Sequence, residues 1–133
     1  MKATGKFEVK IIPQPPDHEA AADATLSRMF LDKRFHGDLE GVSKGQMLAA
    51  STGVQGSAGY VAVERVTGVL QGRSGSFTLQ HSGTMTRGVP QMDVRVVPDS
   101  GTDQLAGLAG TMTILIADGG HSYEFDYTLA ELS

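Results

Sequence analysis

His121-Ser122-Tyr123-Glu124-Phe125-Asp126-Tyr127-Thr128-Leu129 sets an aromatic or apolar residue at every second position, with Ser, Glu, Asp and Thr between them. A period of two marks a β-strand with one face in a core, because successive side chains point to opposite sides of the pleat. Phe77-Thr78-Leu79-Gln80-His81 repeats the pattern. Each apolar face carries a histidine at one end, so the interior is not purely aliphatic. Imidazoles and tyrosine hydroxyls on a core face point to a pocket.

Outward from these two stretches the chain reads as about eight strands: Lys6–Ile12, Leu26–His36, Leu39–Ser51, Gly59–Gln71, Ser76–Ser82, Gln91–Val97, Leu108–Ala117 and His121–Leu132. The longest connection follows Pro13, through Gln14-Pro15-Pro16-Asp17, and offers a short helical turn at Ala20-Ala21-Ala22. The other connections are Gly37-Asp38, Thr52 to Ala58, Gly72-Arg73-Ser74-Gly75, Gly83 to Pro90, Pro98 to Gly107 and Asp118-Gly119-Gly120, rich in residues that tolerate positive φ. Consecutive hairpins make an up-and-down meander. With no helix to cover an open sheet, closure into an all-β, eight-stranded antiparallel barrel removes the edges. Gly37-Asp38-Leu39-Glu40-Gly41 and Gly68-Val69-Leu70-Gln71-Gly72 share a G-x-L-x-G pattern, with a looser echo at Gln104 to Gly107. Glycines there let a strand coil sharply. The spacing Gly53-x-x-Gly56-x-x-Gly59 fits no phosphate-binding loop.

The 133 residues suffice for one domain with one core. A net charge of −4 and a pI near 5.4, with Lys and Arg scattered singly, argue against a nucleic-acid partner. Cysteine is absent, which removes disulfides and thiolate chemistry. Glu8 and Lys10 interrupt the apolar residues near Met1 before a signal-peptide core forms, and no run reaches the roughly 18 apolar residues of a membrane helix. A cytoplasmic protein with no membrane partner is expected.

The runs Gly59-Tyr60-Val61-Ala62-Val63-Glu64, Gly68 to His81 and Gly101-Thr102-Asp103-Gln104-Leu105-Ala106-Gly107-Leu108-Ala109-Gly110 resemble a bacterial domain-of-unknown-function family with an allene-oxide-cyclase-like barrel. The resemblance covers nearly the whole chain. It implies a closed eight-stranded meander barrel and no particular activity. No position matches the plant cyclase's catalytic residues, so none is carried over.

In a meander, chain order becomes geometry. If odd strands run up, the fifth ends at the top near His81 and the eighth begins there at His121, so both histidines belong to one mouth. Tyr60 lies at the same rim, with Glu64 below it on the same face by parity. Either Glu64 or Arg65 has to point inward unless a bulge intervenes. Glu64 is the choice, because Tyr60, Ala62, Gly68 and Leu70 share its face. An inward carboxylate needs a partner, and His81 or His121 is the natural one. Met29, Met47 and Met92 fall toward the top of their strands, where thioethers line an adaptable apolar cavity. Tyr123, Tyr127 and Phe77 complete the set of candidate contact residues. Asp32, Arg34, His36, Asp38 and Glu40 share parity but read as a solvated face, with no metal site. Ser74 and Ser76 lack a nucleophile elbow.

An eight-stranded barrel either fills with its own side chains or holds one small ligand. The absence of Trp, few Phe and small residues such as Ala62, Gly68 and Ala117 leave room. Three functions are therefore in play. The first is binding of a small apolar or amphipathic molecule in the mouth, without a cofactor. The second is a cofactor-free isomerase or cyclase that moves a proton with Glu64, His81 or His121. The third is an inert interaction module. Val61, Val63 and Val69 on the outer face point to a homo-oligomer, a dimer first, under any of the three.

Overall fold

The computed structural model describes residues 1–15 and 25–129. Its eight strands are β1 (Lys2–Pro13), β2 (Leu26–Gly37), β3 (Leu39–Ser51), β4 (Ala58–Leu70), β5 (Arg73–Thr86), β6 (Val89–Val96), β7 (Ala109–Ala117) and β8 (Gly120–Thr128). They close into a barrel in sequence order, every neighbouring pair antiparallel and β1 joined to β8. The expected helical turn at Ala20–Ala22 and the end of the last strand at Leu132 lie outside the described residues.

Two hairpins are tighter than their glycines suggest. Gln71-Gly72 and Arg87-Gly88 turn β4 into β5 and β5 into β6, each with both φ values positive, as the type I′ turn requires. β5 thus runs from Arg73 to Thr86 and takes in Gly75 and Gly83, which the sequence had assigned to turns. Both are strand glycines kept small by a neighbour. A Cβ on Gly75 would lie 2.3 Å from the carbonyl oxygen of Thr102, and one on Gly83 2.3 Å from the ring of Tyr60.

The register carries a large stagger. A path across the ladders from Pro13 passes Met29, Met47, Ala62, His81 and Val94, then Met112 and Phe125, and re-enters β1 at Ala3, ten residues from its start at 13. Such a shear tilts the strands roughly 35–45° from the barrel axis. Residues at one height therefore come from different depths along their strands.

The hairpin end formed by Gly37-Asp38 and Gln71-Gly72 is the floor. There Phe77 stacks on Phe125 with ring centroids 5.8 Å apart, Phe125 meets Tyr127, and Leu39, Leu70 and Leu105 are fully buried. Gly41, Gly68 and Gly75 sit side by side in register and let the sheet fold tightly, as the glycine pattern predicts for the first two. The connection between β6 and β7 seals this end along the lower edge of β5. Thr102 accepts from the Ser76 amide through Oγ1 at 3.0 Å, Ser100 Oγ accepts from the Thr78 amide at 3.0 Å, and the 3₁₀ turn Asp103–Leu105 delivers Leu105 to the core.

Candidate functional site

β2, β3, β4 and β5 each send one polar side chain into the barrel at the same height: Lys33, Ser43, Glu64 and His81, all buried. Glu64 is the hub. Its Oε2 lies 2.7 Å from Lys33 Nζ and 2.7 Å from His81 Nε2, while Oε1 accepts from Ser43 Oγ at 3.0 Å. The His81 contact is close but poorly aligned, so Nε2 has no well-formed hydrogen bond. Lys33 also sits 5.2 Å over the ring of Phe7 and 6.0 Å over that of Phe35, a cation–π arrangement that replaces part of its lost hydration. Burial by itself raises the pKa of Glu64, but the His81 contact and the Lys33 charge outweigh it. The carboxyl is held below its ordinary value, hence ionised at neutral pH.

The inward choice of Glu64 over Arg65 is borne out: Glu64 is fully buried and Arg65 is exposed, bonded through its guanidinium to Ser76 Oγ. Of the two histidines offered as its partner, the structure uses His81. His121 instead packs on Phe7 at 5.1 Å, half-buried, joined to the charged layer through Phe7 and Lys33. The stagger is what brings the two histidines to one level from different depths of β5 and β8. Lys33 and Ser43 are additions.

Above the layer is an apolar cavity of about 370 Å³, bordered by Met47, Ala49, Tyr60, Met85, Pro90 and Met92 with small neighbours from β2 to β6. Among the described residues no charged side chain lines it. Met29 is the ladder partner of Met47 on the same inward face. Tyr60 forms part of the cavity floor: its ring lies across Gly83 and 6.4 Å from that of His81. Burial and the nearby Glu64 charge hold its phenol above its usual value, so it stays protonated.

Three expected contact residues belong elsewhere. Tyr123 was placed at the mouth, but its hydroxyl donates to the carbonyl of His36 at 2.8 Å and accepts from the Leu39 amide at 2.9 Å, which fixes it to the floor hairpin. Tyr127 bonds Gln71 in the next floor turn. Phe77 is core, stacked on Phe125. Among the described residues no group of three or more His, Asp or Glu converges to hold a metal ion. The charged row from Asp32 to Glu40 faces outward, where His36 pairs with Glu8 at 2.7 Å and Asp32 with Lys44 at 3.3 Å.

Residues 3–127 match the model of a family described as "Protein of unknown function (DUF3224)". A crystal structure of a protein with unknown function from that family, from Shewanella oneidensis MR-1, is similar with a TM-score of 0.92 and 50% sequence identity, over 99% of this chain and 98% of that one. No curated protein matches.

Proposed function

Since this chain belongs to the DUF3224 family, which is defined without an activity, its function has to follow from its own geometry, and we propose that the barrel binds a small, neutral, mostly apolar molecule in its mouth. The observation that carries this is the cavity of about 370 Å³ walled by methionines, Pro90, Ala49 and Tyr60, with no charged side chain among the described residues that line it. Such a lining disfavours ions and strongly hydrated solutes, because a buried charge would leave water without a compensating partner. Thioether side chains adapt to varied apolar shapes. At interior packing density the space suits roughly 12–20 non-hydrogen atoms. The binding residues are Tyr60, Met47 and Met92, with Met29 beside them.

Titration with N-phenyl-1-naphthylamine, a neutral dye that brightens in apolar sites, tests this. Saturable binding at one dye per chain is expected, and Ala49→Trp, which fills the cavity, should abolish it. A dye that fails to bind wild type, or binds Ala49→Trp equally well, overturns the assignment.

A second function, isomerisation of such a molecule by proton transfer, is favoured by one feature: the ionised Glu64 carboxylate 2.7 Å from His81, directly beneath Tyr60. Glu64→Gln separates the two. A binder keeps its affinity within about tenfold, whereas a proton-transferring enzyme loses about 10²–10⁴ in rate with binding intact.

A further inference from the structure

The chain has three tyrosines, and each crosses a glycine on the neighbouring strand: Tyr123 opposite Gly5, Tyr127 opposite Gly110 and Tyr60 opposite Gly83. Glycine opposite an aromatic lets the ring fold down over the backbone, and this fixes where the hydroxyl goes. For two of the three the destination is the protein itself. Tyr123 is bonded to the β2–β3 hairpin and Tyr127 to Gln71. The Tyr60 hydroxyl makes no hydrogen bond to any described residue, although its ring lies over Gly83, 6.4 Å from that of His81, and borders the cavity. A Cβ on Gly83 would lie 2.3 Å from Tyr60 Cε1, so the ring lies close over the backbone only because that residue is glycine. A phenol with a free donor, set in the wall of an apolar cavity, is the arrangement by which such sites select one polar group on an otherwise greasy ligand.

We propose that the Tyr60 hydroxyl is the polar handle of this cavity, and that the molecule it selects is a neutral, mostly hydrocarbon compound carrying one carbonyl-type oxygen that accepts its hydrogen bond. This rests on the binding function above and narrows its ligand class. Donor and ligand keep their protons, since nothing but a hydrogen bond forms. The phenol is suited to the task because burial and Glu64 keep it neutral, so it offers a proton and never a negative charge. Below it lie His81 and Glu64, which touch each other, and Glu64 is also bonded to Lys33 and Ser43. A carboxylate head group would meet Glu64 through the Tyr60 ring, with no cation among the described residues of the cavity wall to receive it.

Two neutral dyes of similar size separate this from a purely shape-filling role. N-phenyl-1-naphthylamine has no carbonyl; 6-propionyl-2-(dimethylamino)naphthalene is a ketone whose emission moves to the red when its carbonyl accepts a hydrogen bond. Tyr60→Phe keeps the ring over Gly83 and removes only the hydroxyl. It should weaken the ketone about two- to tenfold, the worth of one hydrogen bond, and move its bound emission to the blue, while the affinity for the amine is unchanged. Equal weakening of both dyes, or no change for either, overturns the handle and leaves the cavity standing. Failure of both dyes to bind wild type overturns the cavity as well.

Discussion

Lys33, Glu64 and His81 form a unit whose members are worth little alone. Burying a carboxylate is costly, and breaking such a pair from one side leaves an uncompensated charge that destabilises by about 3–5 kcal/mol. Lys33→Met should therefore cost on the order of 3 kcal/mol in urea unfolding, less whatever His81 recovers. Replacing both partners, Lys33→Met with Glu64→Leu, should return most of that, because a well-packed apolar pair often matches a buried ion pair. A double variant as unstable as the single one would mean that Glu64 is held by His81 and Ser43 alone. The pH dependence follows from the same contacts. The folded-state value for Glu64 is depressed, so its contribution is complete above its ordinary value of 4.5 and disappears as pH falls through the lower folded value. Thermal unfolding of the wild type should thus weaken steadily below about pH 4.5, and Glu64→Gln should flatten that slope. Glu64 was legible in the sequence because alternation along β4 forces one charge inward. Lys33 was legible too, as the lysine between Leu31 and Phe35 on an apolar face, but the charged row on the opposite parity of the same strand hides it. Ser43 carried no signal, since a serine on an inward face looks like any small strand residue.

At the scale of strands, glycines and seams decide what is rigid. Gly5 and Gly59 look alike in sequence, yet a Cβ on Gly5 would sit 1.9 Å from the His36 carbonyl oxygen and 2.6 Å from the Tyr123 hydroxyl, whereas one on Gly59 finds nothing nearer than 3.7 Å. Gly5→Ala should cost about 1–3 kcal/mol by overpacking, and Gly59→Ala should be nearly neutral, as compared by thermal unfolding. The weak seam lies between β6 and β7. Those strands share one paired position, Arg95 with Thr111, while their other neighbours pair along most of their length. Above that point Met92 and Ile116 have inward parity but are 45% and 68% exposed, so the wall is open there. Amides of Gln91–Asp93 and Thr113–Leu115 should exchange with solvent fastest among the strand residues, because they lack ladder partners across the seam. Equal protection of β6 and of the β3–β4 ladder would show that the seam is closed in solution. Alternation reveals strands but not which pair of strands is short of partners. That depends on the stagger, which is set only when all eight registers close, and this is also why Tyr123, correctly assigned to an inward face, lands on the floor.

For the whole molecule the barrel's order was legible because each local signal agreed: alternation, turn residues and the lack of any helix to cover a sheet all lead to closure. What the same signals leave over is an apolar patch on the outside. Leu48 and Val61 are direct ladder partners, Ile12, Phe30, Gln46 and Val63 continue a row across β1 to β4, and Val61 and Val63 are 52% and 53% exposed. Side chains of this kind gathered on one face exceed the scatter of single apolar residues that monomers tolerate. A second copy is the expected cover, because a patch that runs over the middle of a smooth sheet can meet itself about a two-fold axis without any other element moving. The interior offers a control, since the cavity and the charged layer lie on the opposite side of the β3–β4 wall. Val61→Asp with Val63→Lys should shift the mass measured by light scattering from dimer to monomer while dye binding in the mouth persists. A wild type that is already monomeric at high concentration, or a variant of unchanged mass, would show that the valines face water. If dissociation also abolished dye binding, the outer sheet would be holding the cavity in shape, and binding and assembly would be coupled through β3 and β4.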